Sequence, residues 1–445
     1  MKRTIVAVST PNGNGAIGIV RMSGEKALDF ALNFFSAKNL TKQNIQPRKM
    51  YLGDFKGKNI FDKCLMVYFK APFSFTGEDL VEFHLHGGRF LCEEVLKELV
   101  SLEGCSLAEN GEFSKIAFMN GKISLDKAEG IIDLIEAESQ EEIKAGYELV
   151  KGKLFKQVKQ MQERLQTQIA HLEMTIDYPE HDYEESAKQD VLTLSNQIKS
   201  QIAELLENSK NGQLVKNGVN VALVGKTNAG KSSLLNALVG EDIAIVTDIE
   251  GTTRDTIKQT YNYKGVKFNF IDTAGLRQSV DIVEKIGIER SKQAMQNADI
   301  VLFVVDGSKN NDEKDNELFE SIKKLRHIVV LNKSDLETKN SVFNNFVAVS
   351  CVSGEGIENL KQQIYNMTIS SGIDSSKIMI TNQRHISALK ESLQIFSQIE
   401  NLENISCDII AFELKRIWQT LGKITGVSEN ETIIDEIFSR FCLGK

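Results

Sequence analysis

The stretch Val221-Ala222-Leu223-Val224-Gly225-Lys226-Thr227-Asn228-Ala229-Gly230-Lys231-Ser232-Ser233-Leu234-Leu235-Asn236-Ala237-Leu238 leaves this chain few ways to fold. An apolar run, a loop bounded by glycines and an amphipathic start follow one another, which reads as strand, phosphate loop and helix. Gly225 to Ser232 fits G-x-x-x-x-G-K-[ST]. In that pattern backbone N–H groups surround phosphates, Lys231 reaches the terminal phosphates and Ser232 offers a hydroxyl to Mg²⁺. The helix expected from about Lys231 turns its positive dipole end toward the same anion. An ordinary glycine turn before a helix is the bland alternative, and the strand and helix on either side speak against it.

Three further stretches follow in the order a guanine-nucleotide switch needs. Phe268-Asn269-Phe270-Ile271-Asp272-Thr273-Ala274-Gly275 is an apolar strand ending in an acid able to hold a Mg²⁺ shell, then Gly275, whose N–H can bind a γ-phosphate. Ile328-Val329-Val330-Leu331-Asn332-Lys333-Ser334-Asp335 is a second buried strand with a polar tetrad at its C-terminal end. Asp335 can accept both N1–H and N2–H of guanine, a bidentate pair adenine cannot offer, so GTP is expected over ATP. Phe346-Val347-Ala348-Val349-Ser350-Cys351 reads as the strand whose end touches the base through its backbone.

With 445 residues, 41% hydrophobic content and four prolines, the chain is expected to form about three ordered units. A net charge of −8 offers no domain-wide basic field, so an RNA partner has to be recognised locally or through another protein. Cys64, Cys92, Cys105, Cys351, Cys407 and Cys442 lie far apart with no C-x-x-C pair, which fits neither a disulfide framework nor a zinc site. Met1-Lys2-Arg3 runs straight into a β-like segment, and no stretch reaches 18 uninterrupted apolar residues. A reducing cytoplasm and no membrane span are the expectation.

Residues 1 to about 118 read as α+β. Thr4–Val8 and Ala16–Met22 are expected strands around the Pro11-Asn12-Gly13-Asn14-Gly15 turn, followed by a helix near Glu25–Phe35 and a strand at Cys64–Phe69. Leu80-Val81-Glu82-Phe83-His84-Leu85-His86 alternates with period two, placing Glu82, His84 and His86 on one face. An exposed sheet face explains the two histidines, since no third metal ligand is indicated. Arg21 and Glu82 could form an ordinary ion pair or hold a small polar ligand between them.

From about Met119 to Gly212 the pattern turns helical, with Ser124 a candidate N-cap and Pro179 a break inside an acidic connection. It resumes from Thr381 to Phe441 after the nucleotide segment. Two helical halves around an inserted α/β domain would pack together, because each alone would struggle to bury its apolar faces. The expected division is 1–118, 119–216, 217–370 and 371–445.

The chain resembles the MnmE (TrmE) family of tRNA-modification GTPases along essentially its whole length. The likeness is carried by Gly225–Ser232, Gly251-Thr252-Thr253-Arg254-Asp255, Asp272-Thr273-Ala274-Gly275-Leu276-Arg277, Ser74-Phe75-Thr76-Gly77-Glu78-Asp79, His86-Gly87-Gly88, Gly111-Glu112-Phe113 and Phe441-Cys442-Leu443-Gly444-Lys445. The nucleotide motifs alone would also suit a non-modifying Era-like or Der-like assembly GTPase, which lacks these flanking segments. The resemblance implies an N-terminal folate-binding and dimerisation domain, a discontinuous helical domain and an inserted Ras-like GTPase domain.

Ras-type switches orient the attacking water with a glutamine where this chain has Leu276. The resemblance supplies Glu284 for that task and a K⁺ ion in place of an arginine finger, ligated by Asn228, Thr247, the Ile249 carbonyl and Thr252. It places Mg²⁺ between Ser232 and Thr253. Nucleotide contacts carried over in the same way are Asn228, Ala229, Gly230, Lys231, Ser232, Ser233, the segment Thr247, Asp248, Ile249, Glu250, Gly251, Thr252 and Thr253, then Asp272, Thr273, Ala274, Gly275, Asn332, Lys333 and Asp335. Cys351 stands where the family more often has alanine.

In the N-terminal domain the resemblance implies a reduced folate such as 5-formyl-tetrahydrofolate, contacted by Arg21, Glu82, Lys122 and Lys445. Ala108-Glu109-Asn110-Gly111 departs from the family's Ala-Arg-Pro-Gly. Cys442 has the outline of a C-a-a-X box, but Gly444 is not aliphatic and Lys445 is a poor final residue, so prenylation is set aside. The family faces this cysteine toward the folate and treats it as needed for modification, a catalytic role that requires a lowered thiol pKa, helped by Lys445 or Arg440; the alternative is a buried tail thiol. The activity implied is a K⁺-stimulated GTPase, a homodimer, that with an FAD-dependent MnmG-like partner adds a carboxymethylaminomethyl-type group to C5 of the tRNA wobble uridine. No G-x-G-x-x-G follows a strand here, so the flavin belongs to the partner.

Overall fold

The computed structural model describes residues 3–177, 181–240, 258–272, 298–337, 343, 345–368, 378–399, 405–427 and 430–444. In chain order its first elements are β1 Thr4–Val8, β2 Ile17–Ser23, α1 Ala27–Phe34, β3 Phe35–Ser36, β4 Met50–Lys56, β5 Phe61–Phe69, β6 Leu80–His86, α2 Arg89–Val100, β7 Cys105–Leu107 and α3 Glu112–Met119. Helices α4 Leu125–Glu136, α5 Gln140–Val150, α6 Lys153–Asp177 and α7 His181–Asn217 follow. Then come β8 Val219–Val224, α8 Lys231–Val239, β9 Lys258–Tyr263, β10 Val266–Asp272, β11 Ile300–Asp306, α9 Glu313–Ile322, β12 His327–Asn332, β13 Val347–Val349 and α10 Ile357–Thr368. Helices α11 Gln383–Gln398, α12 Cys407–Thr425 and α13 Glu431–Ser439 close the order. The chain divides into two compact units, one of Met1–Ile135, Gly146–Lys199 and Ser387–Lys445, the other of Glu136–Ala145 and Ser200–Ile386.

In the first unit seven strands run in the order β3-β4-β5-β6-β2-β1-β7, antiparallel except for the β1–β7 pair. The alternation read in Leu80–His86 is realised: Val81, Phe83 and Leu85 enter a core with Val20, Met22 and Phe55, roofed by Ala31 of α1 and Val95 and Leu99 of α2. Glu82, His84 and His86 take the other face, where Glu82 and Arg21 are cross-strand partners. Strand β5 starts at Phe61, three residues before the apolar run suggests, because its antiparallel ladder with β4 extends that far.

The same unit carries the helical layer. Leu154, Val158, Met161, Leu165, Ile169 and Leu172 form a three-and-four stripe on α6 that packs on α12, which buries Ile410, Leu414, Ile417 and Leu421. Gln162 Nε2 donates to the Trp418 carbonyl at 2.9 Å. The two separated helical stretches therefore share one core, as burial of their apolar faces requires. Ser124 directly precedes α4, yet its Oγ makes no capping bond among the described residues. Pro179 falls outside the described residues, in the gap between α6 and α7.

The second unit is a six-stranded sheet, β13-β12-β11-β8-β10-β9, parallel except for the β9–β10 hairpin. Near-continuous burial of β8, β11 and β12 is what a parallel sheet covered on both faces demands. In register, Asp306 at the end of β11 stands opposite Asn332 at the end of β12, and Phe303 opposite Val224. Gly225, Asp306 and Asn332 thus share the carboxyl edge, where open α/β sheets bind ligands.

Candidate nucleotide site and a cavity in the N-terminal sheet

Both glycines of the phosphate loop are dictated by close approach. A Cβ on Gly225 would sit 2.2 Å from the Val304 carbonyl, and one on Gly230, whose φ is +92°, 2.1 Å from Asn332 Nδ2. Asn228 also takes a left-handed φ of 64°. Lys231 Nζ donates to the carbonyls of Gly225 at 2.8 Å and Lys226 at 2.6 Å, so the ammonium is held within its own loop. Ala229 is buried, whereas Asn228, Ser232 and Ser233 are exposed, the last two in the first turn of α8.

Asn332 joins this loop to the base-reading tetrad. Its side chain is buried; Nδ2 donates to the Ala229 carbonyl at 3.0 Å, and Oδ1 accepts from Lys333 N at 2.8 Å and Cys351 Sγ at 3.2 Å. Lys333 Nζ donates to Asp306 Oδ2 at 2.6 Å. Burial pushes the Asp306 carboxyl up, but hydrogen bonds from Lys333 and Ser308 outweigh it and hold the group below its usual range. Ser350 Oγ donates to Asp335 Oδ1 at 2.7 Å, orienting a carboxylate that is otherwise exposed. The thiol of Cys351, raised by burial, completes the Asn332 contacts; a role for its side chain was not readable from a strand expected to act by backbone.

Of the other expected nucleotide and metal residues, Asp272 ends β10. Thr247, Asp248, Ile249, Glu250, Gly251, Thr252, Thr253, Thr273, Ala274, Gly275 and Glu284 lie outside the described residues.

On the first unit's sheet, Arg21 and Glu82 do pair: Nε and Nη2 reach Glu82 Oε1 at 2.8 and 2.7 Å, and His84 Nε2 lies 3.2 Å from Oε2. His86 Nδ1 instead contacts Asp62 Oδ1 at 2.6 Å, so the two histidines have separate carboxylate partners. Among the described residues no group of three or more His, Cys, Asp or Glu could hold a metal ion. The pair opens on a cavity of about 330 Å³ lined by Arg21, Phe69, Phe75, Leu80, Glu82, Ser114 and Ile131. The Arg21 guanidinium lies 5.8 Å from the ring centroids of both Phe75 and Phe113.

The Ser74–Asp79 loop fixes Phe75 there: Ser74 Oγ donates to the Glu78 carbonyl, Thr76 Oγ1 meets Ser23 Oγ at 2.7 Å, and the Thr76 carbonyl accepts from Asn120 Nδ2 at 2.7 Å. Ser114, 1% exposed, lines the cavity with an Oγ that has no hydrogen-bond partner among the described residues. No sequence signal marks Ser114, an ordinary polar residue in the first turn of α3. Lys122 is not brought to this lining; its Nζ donates to the Pro72 carbonyl at 2.7 Å. Lys445 lies outside the described residues.

The C-terminal tail docks on the same unit. Leu443 bridges Asn110, Ser9 Oγ donates to the Gly444 carbonyl at 3.0 Å, and a Cβ on Gly444 would meet the Val8 carbonyl at 2.3 Å. The Asn110 of the unusual Glu109-Asn110 pair thus receives the tail, and Glu109 sits 3.7 Å from Arg3. Cys442 is exposed, which corrects the buried-thiol alternative: the tail's contacts run through the neighbouring Leu443 and Gly444 rather than through this side chain. Arg440 is paired with Glu436 at 2.7 Å.

A family model for the TrmE N-terminus of GTP-binding proteins matches residues 4–122, and the model for the MnmE helical domain matches 125–442. The chain belongs to the MnmE family of tRNA modification GTPases. The MnmE of Clostridioides difficile (strain 630) is 38% identical over 457 residues, covering 99% of both chains. That of Aquifex aeolicus (strain VF5) is 40% identical over 455 residues, covering 100% of both. Among solved structures, the G domain of the T. maritima FeoB iron transporter is 29% identical, covering 34% of this chain and 98% of that one, with a TM-score of 0.25. As an MnmE-family member the chain is a GTP-hydrolysing enzyme, with an N-terminal TrmE domain, a helical domain and an α/β nucleotide domain. No described helix is long and apolar enough to cross a membrane.

Proposed function

We propose that the chain hydrolyses GTP in a K⁺-stimulated reaction and, with an FAD-dependent MnmG-like partner, installs a carboxymethylaminomethyl-type group at C5 of the tRNA wobble uridine. The observation that carries the reading is the Asn332 side chain tying the phosphate loop to the base-reading loop, within a chain matched by both family models. Lys231 and the N–H groups of residues 228–233 would take the phosphates, and Asp335 the guanine edge, with Asn332 and Lys333 framing it. Asp272, Thr273, Ala274 and Gly275 would face the γ-phosphate. The segment Thr247, Asp248, Ile249, Glu250, Gly251, Thr252 and Thr253 would wrap it.

Ser232, exposed in the first turn of α8, would hold Mg²⁺ together with Thr253, and the exposed Asn228 would hold K⁺ together with Thr247, the Ile249 carbonyl and Thr252. A monovalent cation there supplies charge neutralisation between the β- and γ-phosphates. Glu284 would orient the water that Leu276 cannot. Arg21 and Glu82, in a cavity with a buried hydroxyl and aromatic walls, suit a flat polar heterocycle such as a reduced folate, and Lys122, Lys445 and Cys442 would act on the same ligand. A homodimer in the cytoplasm completes it.

GTP turnover of the full chain in KCl against NaCl tests the mechanism. Turnover should collapse in Na⁺, and Asn228→Lys, placing an ammonium where the cation sits, should abolish the K⁺ requirement. Unchanged K⁺ stimulation in that variant would refute the cation assignment.

A further inference from the structure

Lys226 occupies a position that the phosphate-loop pattern leaves open, yet it is tied at both ends. Its Nζ donates to Asp315 Oδ2 at 2.7 Å and also pairs with Asp312. Those acids are the N-cap and N3 residues of α9, locked in a capping box: Asp312 Oδ1 accepts from Lys314 N at 2.9 Å and Asp315 N at 3.3 Å, and Asp315 Oδ2 accepts from Asp312 N at 3.3 Å. Asp315 is buried to 6% exposure, so its carboxylate cannot simply return to water. At the other end, the Lys226 carbonyl accepts from Lys231 Nζ at 2.6 Å and from Ala229 N at 3.3 Å. A continuous line thus runs from the start of α9, through one side chain and its own peptide, to the ammonium assigned to the terminal phosphates.

We infer that Lys226 is a positioning residue of the GTP site: by gripping the capping-box carboxylates of α9 it fixes the carbonyl that aims Lys231, and it neutralises two negative charges standing beside the phosphate loop. The inference rests on this loop being the GTP site. Two consequences follow from the charges. An unneutralised carboxylate pair repels a triphosphate more than a diphosphate, because GTP carries the larger charge. An arginine, able to bridge two carboxylates, preserves the grip where an uncharged isostere does not.

The test uses the full chain, a fluorescent GDP, a non-hydrolysable GTP analogue and steady-state GTP turnover. Lys226→Met should lower kcat/KM about tenfold or more and weaken the GTP analogue more than GDP, while Lys226→Arg stays within about threefold of the wild type. The pair Asp312→Asn with Asp315→Asn should also lower turnover, and adding Lys226→Met to that pair should cost little more, since the partners act as one unit. Overturning the inference would take a Lys226→Met protein that binds both nucleotides and turns over like wild type, with at most a lower melting temperature. A loss in Lys226→Met that is fully additive with the aspartate pair would overturn it too. A wild-type chain that binds neither nucleotide would instead overturn the assignment of the GTP site beneath it.

Discussion

Ser114 shows how a single hydroxyl separates stability from binding. Burying a hydroxyl without a partner costs about 1–3 kcal/mol, so Ser114→Ala should fold at least as stably as wild type. If the cavity holds the folate, the same change should weaken binding of 5-formyl-tetrahydrofolate about tenfold by calorimetry, the worth of one hydrogen bond. Equal affinity in the two proteins would remove Ser114 from the ligand contacts. Residues of this kind were legible only in part. Lys231 and Asp335 announce themselves through spacing after an apolar run. The link from Asn332 to Ala229 spans 103 positions and comes from the parallel register of the strands, which no local pattern encodes. The Asp312-x-x-Asp315 spacing, by contrast, is an N-cap signal open to a sequence reading, and it marks the anchor of Lys226.

At the level of elements, period two fixed β6 to its ends, whereas β5 runs longer than its apolar stretch because pairing with β4 sets its length. The Gly111-Glu112-Phe113 motif illustrates a glycine chosen by an element packed against it. Gly111, the N-cap residue before α3, has φ +67°, and a Cβ there would lie 2.1 Å from the Phe438 carbonyl of α13. Both strain and clash fall on backbone, so Gly111→Ala should destabilise the first unit by more than about 2 kcal/mol and lower its calorimetric transition. A variant melting with the wild type would show that α13 can retreat at no cost.

Across the whole molecule, the cysteines report how the chain is packed. Burial pushes the Cys64 thiol up to about 12 and Cys105 up to about 11, and also raises Cys92, Cys351 and Cys407, while Cys442 is exposed. A raised thiol holds little thiolate near neutral pH, so maleimide labelling of the native protein at pH 7.5 should show one fast site, lost in Cys442→Ser. Two or more fast thiols would mean that one of these cores opens readily. With a net charge of −8, tRNA has to be engaged through a local surface or the partner protein, which is why substrate identity was not visible in composition. The most direct measurement is nucleoside analysis of tRNA from cells lacking this chain. The account predicts that the C5-modified wobble uridine disappears, returns with the wild-type chain and does not return with Lys231→Ala; normal wobble nucleosides in the deletion strain would contradict it.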